Sequence, residues 1–296
     1  MTHLSIQKAH VFTQHLQGGN PAGIVLTQAT LSNHTMRCIA DILNPVSETV
    51  FIFPSETADY RFRFFTSLSE IGMCAHATIG AFFALHRKIS SQEDMVTCQV
   101  ETACGVFPVT LHFTDGTLTT VMMNQGVPTL IDPSVDPAPL CEILSISSTD
   151  LMSTLPLQIL STGRPKLMVP LRSRDILNNL HPDFSHMIAF CDEIGATGVH
   201  VFTFDTVDAH SFIHCRHFAP GVGVDEDPAT GNSNAALAGY LLNNDKLRGE
   251  HFTVEQGYAM GRPSHLQITV DSQTGEVSVG GHALIVMEGT LFLDSI

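Results

Sequence analysis

The sequence predicts an α+β chain of two pseudo-symmetric halves, each a β-barrel-like sheet wrapped around one central buried helix. Three observations carry that prediction. Two stretches share one plan, in which an aromatic strand-like segment (62–65 and 212–218) leads through a polar turn into a helix of small and apolar residues, within 70–85 and 224–242. A helix with almost no polar face must be buried all round. An offset of 154 then carries Phe64 onto Phe218, Ala81 onto Ala235, Ala84 onto Ala238, Val100 onto Val254 and Glu101 onto Glu255. The Val-Glu match lies beyond the helix, so an internal duplication is the economical explanation. Finally, residues 127–139 hold four prolines and two aspartates, the composition of a crossing between domains. The expected domains are 1–127 and 128–296, with the last strand free to return to the first, and 296 residues suit two domains of roughly 100–200 each.

In chain order, 5–13 and 23–26 read as strands joined by 14–22, whose Gly18-Gly19-Asn20-Pro21 is a turn signal. From Ser32 to Leu43, apolar Met36, Ile39, Ala40 and Leu43 mark one face of a short outer helix, with Ser32 as N-cap and Asn44-Pro45 as stop. Strands follow at 47–53 and 60–66, rich in aromatic and β-branched residues. After the first buried helix come strands at 96–101, 106–113 and 118–125; several strands around one internal helix imply a sheet curled about it. The second half repeats the order: strands near 157–160 and 166–171, an outer helix within 183–193, strands at 199–206 and 211–218, the second buried helix, and strands at 252–256, 265–271, 276–280 and 283–293.

Charge narrows the ligand class. With 14 Lys+Arg against 29 Asp+Glu the formal charge is −15, which repels nucleic acid and anionic lipid and leaves a small molecule as the expected partner. The first residues lack the regions of a signal peptide, and no apolar run reaches the ~20 residues of a membrane span, so a soluble, cytoplasmic protein is expected. Seven cysteines, an odd number with no framework spacing, fit reduced thiols.

Glu48 heads a strand on the face shared with Val50 and Ile52. A carboxylate turned inward should have a raised pKa suited to proton transfer, although pattern alone equally describes a strand-edge Glu leaning into solvent. His76 and Thr78 are the polar members of the first buried helix's opening turn; Asp227, Thr230, Asn232 and Asn234 crowd the second. Two helix N-termini form a natural seat for a carboxylate ligand, and capping is the competing use of the same side chains. Cys74 stands where a helix dipole would lower a thiol pKa, or where a small core residue would sit. His210, His214, Cys215 and His217 lack the spacing of a metal set, since His217 faces away from the other two histidines along a strand; no metal is expected. Gly221-Val-Gly223 lacks the third glycine of a dinucleotide loop.

Three motifs in combination are similar to the phenazine-biosynthesis PhzF-like family, whose fold resembles diaminopimelate epimerase: Gly19-Asn-Pro-Ala-Gly-Ile-Val25, Ser47-Glu-Thr-Val-Phe51, and Cys74-Ala-His-Ala-Thr-Ile-Gly80 with the stretch 218–231. The resemblance implies a cofactor-independent isomerase acting on a small carboxylic acid, and it allows a homodimer. Glu48 matches the family's general acid/base, while His76 and Asp227 match its substrate-orienting residues. Asn20 of the first motif, with Ala77, Thr78, Thr230, Gly231 and Asn232 at the helix starts, completes the expected substrate-binding set. Glu48, His76 and Asp227 are expected to meet in one cleft, where Asp227, Asp225 and Glu226 would help keep a proton on Glu48. This chain departs from the family at Ala75, where Gly often precedes the His, in Asn44-Pro45-Val46 before the Ser-Glu-Thr motif, and at Asn232, where the phenazine enzyme has Ser. The resemblance therefore implies a reaction type and no substrate. Related racemases use two opposed cysteines; Cys74 resembles the first, and Ala229 or Thr230 stands at the second position. An epimerase using Cys74 with Glu48, and a shell that binds a metabolite without catalysis, are the alternatives.

Overall fold

A computed structural model describes residues 3–43, 47–85, 91–132 and 134–293. The chain is mixed α+β, mostly strand, and divides into two compact units: Met1–Asn124 with Gly280–Ile296, and Gln125–Val279. The segment after Gly280 therefore belongs to the first unit, beyond a division drawn at 127/128. The physical reason is a long antiparallel ladder that runs from His3↔Phe292 to Val11↔Ala283.

The first unit comprises β1 (His3–Val11), β2 (Asn20–Leu26), α1 (Asn33–Ile42), β3 (Glu48–Phe53), β4 (Tyr60–Phe65), β5 (Glu70–Ile71), α2 (Ala75–Leu85), β6 (Met95–Thr102), β7 (Gly105–Thr114) and β8 (Thr117–Asn124). The second comprises β9 (Thr129–Asp132), α3 (Pro137–Leu144), β10 (Gln158–Ser161), β11 (Pro165–Pro170), α4 (Arg174–Asn178), α5 (Phe184–Ile194), β12 (Val199–Thr203), β13 (Ile213–Ala219), β14 (Val224–Asp227), α6 (Gly231–Asn243), β15 (His251–Gln256) and β16 (Ser264–Val270). β17 (Val277–Gly281) spans the boundary, and β18 (Ala283–Phe292) completes the first unit.

Each unit uses the same ladder. β1 pairs antiparallel with β2, β2 parallel with β3, β3 antiparallel with β4, and β4 both antiparallel with β5 and parallel with β6. In the second unit β10, β11, β12, β13, β14 and β15 repeat those relations in the same sense. The outer helix of each unit is capped as its sequence dictates: Ser32 accepts from the Thr35 amide and Asp183 from the His186 amide. The expected stop of α1 at Asn44-Pro45 lies outside the described residues.

α1 lays Met36 and Ile39 on Val25, Phe51 and Phe65, so odd-numbered residues of β3 face it. Even-numbered residues face α2, which packs on β1, β2, β3, β8 and β18. All of α2 from His76 to Phe83 is buried, and Gly80 lets it approach β1 so closely that a Cβ would lie 3.2 Å from both Ala9 and Val11. Phe82 meets Tyr60 and Phe62 at ring separations of 6.0 and 5.7 Å. Burying each such aromatic is worth about 1.5–3 kcal/mol.

One sequence expectation needs correction, and two further features were not foreseen. Asn20 and Pro21 open β2 rather than a turn, a place where proline is tolerated because it begins the strand. The proline-rich crossing is not irregular: it contains β9, which pairs with β10, and α3, where Asp136 caps the Ala138 amide and Pro137 takes the first helical position. α4, five residues long, is too short to show a period.

The duplicated glutamates share one task. Glu101 accepts from the Ser55 and Thr57 hydroxyls in the β3–β4 connection. Glu255 accepts from the Val207 and Asp208 amides in the β12–β13 connection and pairs with His214 at 2.9 Å. Glu255 is fully buried, whereas the Glu101 side chain is 29% exposed. Glu255→Ala should therefore cost about 3 kcal/mol or more, because two amides and an imidazole lose their partner away from water. Glu101→Ala should cost no more than about 1 kcal/mol, and urea unfolding of the two variants measures the difference.

Candidate active site

In the first unit, Glu48 sits at the head of β3 opposite Ala22 of β2, on the face turned to α2. That parity brings its Oε2 within 3.2 Å of His76 Nε2. His76 is the second residue of α2 and is buried; on its other side Nδ1 lies 3.3 Å from Cys74 Sγ. Ser47 Oγ is 3.1 Å from His76 Nε2 and donates at 3.3 Å to Asn20 Oδ1. With its own proton directed at Asn20, the Ser47 oxygen presents a lone pair to the ring, so Nε2 carries hydrogen and donates towards Ser47 and Glu48.

Burial opposes charge on His76, but Cys74 and Glu48 outweigh it and hold the ring's pKa well above the ordinary imidazole value. Burial also pushes the Cys74 thiol up, against the pull of His76. Of the two readings of Cys74, the buried small residue is the one observed: in a desolvated position the Born penalty on a thiolate exceeds a helix-end contribution of ~1 kcal/mol. Glu48, 3.2 Å from the ring, is the second of the two groups that raise it, after Cys74.

Ala77 and Thr78 serve the helix start itself. The Ala77 amide bonds the Cys74 sulfur, while the Thr78 amide and hydroxyl both bond the Cys74 carbonyl, at 3.0 and 2.8 Å.

In the second unit, Asp227 ends β14 opposite His217, and Thr230 is the N-cap of α6. The Thr230 hydroxyl does not cap; it donates to Asp227 Oδ2. Gln256 fixes this turn by accepting from the Thr230 amide at 3.2 Å and donating to the Asp227 carbonyl at 2.7 Å, and Asn234 in turn donates to Gln256 at 2.8 Å. Gly231 begins the helix, buried, and the Asn232 side chain accepts from Ser233. Glu226 does not act as a free acid, because Arg216 holds both its oxygens at 2.8 Å.

Glu48 and His76 thus lie in one unit, and Asp227, Thr230, Gly231 and Asn232 in the other. Ser47 and Gln256 were missed as functional positions. Ser47 stands beside Glu48 inside a matched motif, and Gln256 directly follows the duplicated Val-Glu pair, so both carried a signal.

Behind Asp227 the second unit buries three basic groups. Lys166 donates to Thr197 at 2.9 Å, and burial lowers its pKa to about 8. Burial lowers His200 to about 3 and His217 well below the ordinary value, with the rings 5.4 Å apart. Among the described residues, the one set of His, Cys and carboxylate atoms close enough to share a metal is Glu48, Cys74 and His76, all within 4.8 Å of one another. The histidines at 210, 214 and 217 form no such set, and His214 is committed to Glu255. All seven cysteines are free, and no helix among the described residues is long and apolar enough to cross a membrane.

A family model described as phenazine biosynthesis-like protein matches residues 9–289. An uncharacterized isomerase of Clostridium acetobutylicum is 34% identical, with 96% of each chain covered. The trans-2,3-dihydro-3-hydroxyanthranilate isomerase of Pseudomonas aeruginosa is 29% identical over 93% of this chain and 94% of its own. The crystal structure of a PhzF-family phenazine biosynthesis protein from Bacillus anthracis superposes with a TM-score of 0.88 at 26% identity, covering 99% of this chain and 100% of that one.

The buried rings predict a pH dependence of stability. His200 and His217 have folded pKa values below the unfolded value of about 6.5, so the stability they confer is complete above pH 6.5 and is lost as pH falls towards their folded values. His76, raised, works in the opposite direction. Stability measured by urea unfolding should therefore fall from pH 6.5 to 5.5 by about 1 kcal/mol for each lowered ring, less what His76 returns, and His200→Gln should remove one such share of the fall.

Proposed function

The chain belongs to the phenazine biosynthesis-like protein family and is an isomerase, and on that premise we propose that it shifts a proton on a small carboxylic acid without a cofactor. The observation that carries this reading is the 3.2 Å pair of Glu48 with a buried His76. The Glu48 carboxylate takes a proton from a substrate carbon, and the electron pair left behind delocalises into the substrate as an enolate-like anion. At that moment Glu48 becomes neutral, and the imidazolium of His76 loses its counter-charge. Its positive charge then stabilises the developing anion, a stronger effect in a water-poor site than in solvent. Glu48 returns the same proton to a different carbon, so atoms and charge balance and no oxidant or metal is required.

Asp227, with Thr230, Gly231 and Asn232, is the proposed substrate-binding contribution of the second unit, and Asn20, Ala77 and Thr78 that of the first. Resemblance to the family supports these assignments, and the fixed Asp227–Thr230–Gln256 turn supports a positioning role. We read each unit as a sheet wrapped around its buried helix, α2 or α6, and the enzyme as a cytoplasmic one able to form a homodimer. The Pseudomonas relative supplies one compound for a first screen of unsaturated and amino carboxylic acids.

A second reading is epimerisation by Cys74 and Glu48 together, favoured by the 3.3 Å approach of the thiol to His76. The raised thiol pKa works against it. Deuterium uptake from heavy water into the screened acids separates the two. Glu48→Gln should lower exchange by about 10²-fold or more, the scale of one general acid/base, while Cys74→Ala keeps most of it. Equal losses from both variants would favour the thiol–carboxylate epimerase, and full exchange in Glu48→Gln would refute both.

A further inference from the structure

We infer that Glu48, Cys74 and His76 form a binding site for Zn²⁺ or a similarly thiophilic divalent ion, and that occupancy shuts off proton transfer. The three donor atoms are a carboxylate oxygen, a thiol sulfur and an imidazole nitrogen, all within 4.8 Å of one another. Tetrahedral zinc with bonds of about 2.0–2.3 Å places neighbouring donors roughly 3.4–3.6 Å apart. His76 Nε2 lies 3.2 Å from Glu48 Oε2 and 3.9 Å from Cys74 Sγ, so adjustments of a few tenths of an ångström bring these two edges to that value, and the third, from Glu48 to Cys74, lies within 4.8 Å.

The donor set selects the ion. One sulfur and one nitrogen suit zinc or cobalt and are poor ligands for magnesium or calcium, which require oxygen. Three protein ligands leave a fourth position for water. The Glu48 side chain is 21% exposed and that of His76 11%, while the Oε2 that would bind is itself buried, so the ion enters as the carboxylate turns. The neighbours also suit the role: Ala77 and Thr78 fix Cys74 through its sulfur and carbonyl, and the Ser47–Asn20 pair adjoins the ring nitrogen, so two of the three donors are held in place without the ion.

Coordination expels one proton from the thiol and one from the imidazolium to solvent, and it engages the carboxylate oxygen that proton transfer requires. The ion therefore inhibits. Inhibition rests on the proton-transfer reading, whereas binding is measured without turnover, so the site can stand or fail independently of that reading.

The test is a Co²⁺ titration of the full-length, metal-stripped protein, followed by the sulfur-to-cobalt charge-transfer absorption. One equivalent should saturate the band, Zn²⁺ should displace the cobalt and Mg²⁺ should not. Glu48→Gln should weaken binding by about tenfold or more, as loss of a direct ligand exceeds the effect of an outer one. Cys74→Ala should abolish the band. Retention of the band in Cys74→Ala would assign it to another thiol, such as Cys38, 3.7 Å from His34, or the exposed Cys104, and would overturn the proposal. Absence of any band in the wild type would do the same. Should Cys74→Ala fail to fold, alkylation of the wild-type protein under mild denaturant with and without Zn²⁺ decides: Zn²⁺ should protect Cys74, read by peptide mass, and equal labelling refutes the site.

Discussion

The contact between the His76 ring and the Glu48 carboxylate is the constraint on which the site depends. Two charges removed from water are costly apart and tolerable together, and the carboxylate beside the ring favours its protonated form. Everything around them serves that pairing. The alternation of β3 points Glu48 at α2; the absent side chain of Gly80 lets α2 lie close to β1; and Ser47, held by Asn20, turns its oxygen to the ring's Nε2. In the proposed reaction, moving a proton onto Glu48 frees one positive charge at the moment a negative one forms on the substrate. The chemistry thus follows from the electrostatics of burial.

The two units show what duplication preserved and what it discarded. Their ladders repeat, and Glu101 and Glu255 both tie the connection between the strands corresponding to β3 and β4. The pair proposed to move the proton is not repeated. Phe64 and Phe218 match at an offset of 154, and the strand register pairs them with Val50 and Val199, so two residues earlier Thr197 stands at the place of Glu48. The same offset puts Pro228 at Cys74 and Thr230 at His76. Thr197 engages Lys166 and Thr230 engages Asp227, hydrogen bonds that hold a surface in shape without transferring a proton to carbon.

The sequence announced features governed by local chemistry. Ser32 and Asp183 cap where hydroxyl and carboxylate at a helix start should, the two all-apolar helices are buried, and period-two alternation gave Glu48 its face. It concealed features decided by distant partners or by competition between rules. Proline at 137 reads equally as a breaker and as a first helical residue, and only the Asp136 cap chooses. Nothing local says that β18 closes on β1, since that pairing joins opposite ends of the chain. Ser47 reaches Asn20 and Gln256 reaches Asp227 across 27 and 29 residues, beyond any periodic signal. At Cys74 two correct principles opposed each other, and only the burial measured in the fold showed that desolvation outweighs the helix end.

Nuclear magnetic resonance titration of the His76 ring nitrogens tests the central claim most directly. In the wild-type protein the ring should remain doubly protonated well above the ordinary midpoint of about 6.5, and in Glu48→Gln the midpoint should fall. A His76 that titrates at or below about 6.5 in the wild type, with no response to Glu48→Gln, would contradict the account, because the pair on which the site is built would then carry no charge to share.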